Sequence, residues 1–84
     1  MSVLVPLTPQ QQEWLEQERA TWNIKRDRYG LVCLNCERHH SVQRDRDPDF
    51  LIEFIAMKYV ITEDMERLVI IDGQTGEMIW EKHP

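Results

Sequence analysis

The chain has 84 residues, 42% hydrophobic and 30% charged, with three Gly and four Pro. That is the composition of one small folded domain, 1–84, and it excludes a disordered or fibrous chain. No apolar run approaches the roughly 18 residues that span a bilayer, and MSVLVPLT lacks the basic flank of a signal peptide, so a cytoplasmic protein with no membrane partner is expected.

The net charge of −5 is unevenly spread. Residues 1–23 carry three acids against one base, residues 24–46 six bases against three acids, and residues 47–84 nine acids against three bases. A basic middle between acidic ends is either a polyanion footprint or a face that pairs with the protein's own acidic end. The second reading predicts internal ion pairs and an acidic outer surface.

Ser2 to Leu7 is short and apolar and reads as an edge strand or a frayed tail. Thr8-Pro9-Gln10-Gln11 is a helix start: Thr8 is the N-cap, Pro9 suits the first helical position, and Gln11 completes a capping box. The helix should run toward Arg26, with Trp14, Leu15 and Trp22 on one apolar stripe that packs into the core. Gly30 then serves as a terminator or turn residue.

Tyr29 to Gln43, YGLVCLNCERHHSVQ, follows with a β-like lead-in and holds both cysteines and two of the three histidines. Asp47-Pro48-Asp49 repeats the start signal of the first helix, with an acidic N-cap and Pro at the first position. FLIEFIAMKYVI is apolar on most faces, which marks a helix buried between layers or paired with another chain, and a central core helix from Pro48 to about Tyr59 is expected. Phe50, Leu51, Phe54 and Ile55 are expected to be buried on it, with Phe54→Ala costing about 3–5 kcal/mol. Arg67 to Asp72, a turn over Gly73 to Gly76, and Glu77 to Lys82 read as a C-terminal β-hairpin. The expected fold class is α+β: an N-terminal helix, a Cys-x-x-Cys hairpin or knuckle, a core helix and a C-terminal hairpin packed on it.

Cys33 and Cys36 are spaced so that two thiolates can converge on one metal, and zinc takes four such ligands. If residues 36–40 are helical, Cys36, His39 and His40 share one face and, with Cys33, make a compact zinc site. If the segment is extended, His40 moves roughly 13 Å along the chain from Cys36, and the missing ligands come from His83, from a second chain in a dimer, or not at all. The alternative is two ordinary cysteines, one of them buried, beside exposed histidines.

Arg28, Arg38, Arg44 and Arg46 flank this stretch and are the candidate phosphate contacts of a nucleic-acid-binding knuckle, although Asp27, Glu37, Asp45 and Asp47 are threaded among them. A thiol-redox role would place the Cys-x-x-Cys at a helix start, and the polar segment after Cys36 does not suit one. Ser2 and Ser41 are the only serines and no Gly-rich phosphate loop is present, so an enzyme is not expected. The leading functional expectation is a small regulatory or inhibitory module that binds another protein through an acidic or aromatic surface. A zinc-knuckle nucleic-acid binder and a small thiol-redox protein are the alternatives.

Overall fold

The computed structural model describes residues 6–62 and 66–83. The expected strand at 2–7 and the polar break at 63–66 lie largely outside them.

Helix α1 spans Pro9–Ala20 and begins as its sequence dictates. Thr8 Oγ1 accepts from the Gln11 backbone N–H at 3.2 Å, and Gln11 Oε1 accepts from the Thr8 N–H at 3.1 Å, so two of the helix's orphan donors are satisfied reciprocally. The helix stops six residues short of the expected Arg26. The chain turns at Thr21, and the Trp22 indole N–H donates to the Asp27 carbonyl. Trp22 is thereby folded back over Gly30, which lies inside a strand rather than ending a helix. A Cβ at position 30 would come within 2.6 Å of the Trp22 ring, so glycine is required there by close approach.

Four strands make one antiparallel sheet: β1 (Tyr29–Leu34), β2 (His39–Asp45), β3 (Arg67–Asp72) and β4 (Met78–Lys82), in the spatial order β2-β1-β3-β4. The two hairpins, β1–β2 and β3–β4, meet through β1 and β3. Asn35 closes the first, its side-chain oxygen accepting from the backbone N–H groups of Glu37 and Arg38. Gly76, at φ 79°, closes the expected second one, its N–H donating to the Asp72 carbonyl at 2.7 Å.

Strand alternation sends side chains to two faces, and both faces are covered. Leu31, Cys33, Leu68 and Ile70 form one core with Leu51 and Ala56 of the second helix. Val32, Leu34, Val69 and Ile71 form the other with Leu15 of α1 and with Met78. The small α+β class is therefore as expected, with the central strands β1 and β3 buried on both sides.

The second helix, α2 (48–58), departs from its expected burial. It begins α-helical at Pro48–Phe50, widens into a π-turn over Leu51–Ile55, and tightens to 3₁₀ at Ala56–Lys58. In the wide turn the Ala56 N–H reaches the Leu51 carbonyl, five residues back. Leu51 and Ala56, five apart, consequently both point at the sheet. Phe54 is swung out and is 57% exposed, and Phe50 lies at the surface beside it, so the expected burial of these two rings is wrong. Lys82 of β4 holds the end of α2, its ammonium donating to the carbonyls of Ala56, Met57 and Tyr59. Such a cation also complements the negative end of the helix.

Candidate functional site

The sequence candidates do not come together as one group. Cys33 lies buried in β1 and Cys36 is exposed in the β1–β2 turn. Because residues 39–45 are a strand, His39 and His40 point to opposite faces, and the helical arrangement of Cys36, His39 and His40 is not the one formed. Of the hairpin or knuckle expected at Cys-x-x-Cys, the chain forms a β-hairpin, with Cys36 in its turn.

Register then makes a different association. Cys33 sits directly opposite His40, and His39 opposite Leu34. Cys33 is 2% exposed and its thiol donates to Glu66 Oε1 at 2.8 Å. The Tyr59 hydroxyl joins this cluster, lying 3.4 Å from His40 Nε2 and hydrogen-bonded to Cys33. Burial first, and then the contact with Cys33 and the nearby Glu66 carboxylate, hold the Tyr59 phenol above its ordinary pKa. A cavity of about 260 Å³ opens beside the cluster, lined among others by Asn35, Arg38 and both histidines. Among the described residues, no group of three or more His, Cys, Asp or Glu is arranged to hold a metal ion. His83 stands 3.2 Å from Glu81, which lies opposite Val69 on the other face of the sheet from Cys33.

His39 is engaged on the α1 face. It stacks on Trp14 with ring centroids 5.0 Å apart, and its Nε2 is 3.5 Å from Glu18 Oε1. The other Glu18 oxygen accepts from Arg44 at 2.8 Å, and the Arg44 guanidinium lies 5.4 Å over the Trp22 ring. Arg28 grips Asp72 through two hydrogen bonds of 3.0 and 2.8 Å. At least two of the four candidate phosphate-binding arginines, Arg28 and Arg44, are therefore paired within the fold. Arg38, in the β1–β2 turn, stands at the opposite end of β1 from Arg28, a strand length of roughly 20 Å away.

The surface that sequence reasoning missed is the outer face of α2. Phe50 and Phe54 stack with centroids 5.4 Å apart, Met57 follows at 61% exposure, and Val60 lies exposed just beyond. Lys58 sits 5.8 Å over the Phe54 ring, while Asp49 and Glu53 are exposed on the same helix. The signal in the sequence was the excess of apolar residues in FLIEFIAM over what one face of an eleven-residue helix can bury. Among the described residues no helix is long and apolar enough to cross a membrane. No family model matches the chain, and no curated protein or solved structure matches it.

Proposed function

We propose that the chain is a small non-enzymatic protein-interaction module, regulatory or inhibitory, that engages its partner through the Phe50–Phe54–Met57 ridge of α2. One observation carries this: large apolar side chains are left in water on a helix whose other face is fully committed to the core. Aromatic residues and Met are enriched in protein interfaces, and contiguous apolar surface on a small domain marks contact sites. The nucleic-acid alternative draws less support, since Arg28 and Arg44 are neutralised by Asp72 and Glu18.

The experiment is photo-crosslinking from benzoylphenylalanine placed at position 54, compared with position 17, which is exposed on α1 across the sheet. Irradiation in the cells that make the protein should give a covalent protein adduct from 54 and none from 17. Equal or absent adducts at both positions would overturn the reading.

The fold in this reading stands without a zinc staple, because both faces of the sheet are covered and Cys33 is already engaged by Glu66. Structural zinc contributes directly to folding free energy. Chelator is therefore expected to leave the melting curve unchanged. Stoichiometric zinc in protein purified without chelator, with a melt that falls when it is removed, would restore the staple.

A further inference from the structure

Resting on the ridge as a contact surface, we infer that its occupant is a second copy of this chain, docked as an antiparallel, two-fold symmetric helix pair. The argument is the order of exposed residues along α2. Asp49 stands at one end, Lys58 at the other, and Phe50, Glu53, Phe54 and Met57 lie between them. An isologous interface must be complementary to itself, so residue i meets j wherever j meets i.

With the dyad between positions 53 and 54, Asp49 falls opposite Lys58 of the second copy, Phe50 opposite its Met57, and Glu53 opposite its Phe54. Each contact occurs twice. A parallel pairing would instead set Asp49 against Asp49 and Lys58 against Lys58. Asp49 and Lys58 are nine residues apart, about 13 Å along a helix, so both ion pairs fit one helix-length contact.

The size of the surface sets the strength. Phe50, Phe54, Met57 and Val60 together expose on the order of 400 Å², as large as the principal apolar patch of a typical monomer and about half of what one partner brings to a standard interface. A contact of this size is small for a permanent dimer, so the association is reversible and depends on concentration. The flanking charges select the antiparallel register over the parallel one.

Sedimentation equilibrium over a concentration series from about 1 µM to about 1 mM tests this directly. The wild-type chain should pass from monomer to dimer. Phe54→Glu should remain monomeric, with circular dichroism and melting confirming that it is folded. Asp49→Lys alone and Lys58→Asp alone should each weaken association at least tenfold. The double variant should regain it, and mixing the two single variants should give a heterodimer. A wild-type chain that is monomeric throughout overturns the second copy; adducts from position 54 to a different protein would then leave the ridge itself standing. Association that survives Phe54→Glu, or that ignores both charge reversals, overturns the proposed geometry.

Discussion

Leu51→Ala is expected to abolish the cooperative melt at room temperature, whereas Phe54→Ala, three residues away on the same helix, should shift stability by less than about 1 kcal/mol. Leu51 is 0% exposed and sits in the core formed by Leu31, Cys33, Leu68 and Ile70. Removing a buried Leu side chain costs about 2–5 kcal/mol through lost transfer free energy and the cavity left behind. A single core in a chain of this size supplies only about 3–5 kcal/mol, so the loss takes most of the stability. Phe54 has no comparable enclosure: its contacts are the stacked Phe50 ring and the Lys58 ammonium, both at the surface. Paired urea denaturations of the two variants give the answer. Comparable losses from both would mean that α2 packs with its ordinary α-helical face, and the ridge would cease to exist.

That contrast marks where the sequence is legible and where it is not. Local chemistry could be read directly: Thr8 with Gln11 starts α1, Asp47 with Pro48 starts α2, and the glycines of Gly73 to Gly76 mark the turn between β3 and β4. Each of these signals acts within a few residues, so the linear order contains it. The faces of α2 could not be read in the same way. Four apolar residues in FLIEFI satisfy an α-helical stripe, and only the π-turn, set by packing on the sheet, moves Leu51 and Ala56 inward together while releasing Phe54.

Strand order was hidden for a similar reason. β1 and β3 pair in register across 33 to 43 residues, from Leu34 against Arg67 to Tyr29 against Asp72, and no short motif announces a contact at that separation. The two adjacent histidines illustrate the cost. Helical spacing would have gathered His39 and His40 on one side, but strand pairing sends one to Glu18 and Trp14 and the other to the Cys33 cluster. The charge split was readable in outline, since bases of the middle segment do meet acids elsewhere, Arg28 with Asp72 and Arg44 with Glu18.

The first of those pairs should govern the acid sensitivity of the fold. Asp72 ends β3, is buried, and accepts from the Arg28 side chain and from the backbone N–H of Gln74, while the Gly73 N–H donates to the Arg28 carbonyl. One carboxylate thus ties the β3–β4 turn to the lead-in of β1. The Arg28 guanidinium holds the Asp72 carboxyl below its ordinary range, burial opposes that shift, and the turn's backbone N–H groups add to it. A folded-state pKa below the unfolded value means the unfolded chain binds more protons, so stability rises with pH through this window. The contribution is fully present above the unfolded value of about 4 and is lost as pH falls toward the lower folded value.

The Arg28 side chain is 41% exposed, and water screens its share of the pair, so the main loss on substitution comes from the carboxylate's own hydrogen bonds. Asp72→Asn should cost about 1–3 kcal/mol at pH 7, or a fall of roughly 5–20 °C in melting temperature for a domain of this length. The difference between wild type and Asp72→Asn, followed by thermal melts from pH 7 to pH 3, should shrink steadily below about pH 4.5, because acid removes from the wild type what the substitution has already removed. Other carboxylates titrate in both proteins and cancel in that difference. Two melting curves that fall in parallel down to pH 3 would show that the Asp72 charge contributes nothing and that the pairing with Arg28 is incidental to the fold.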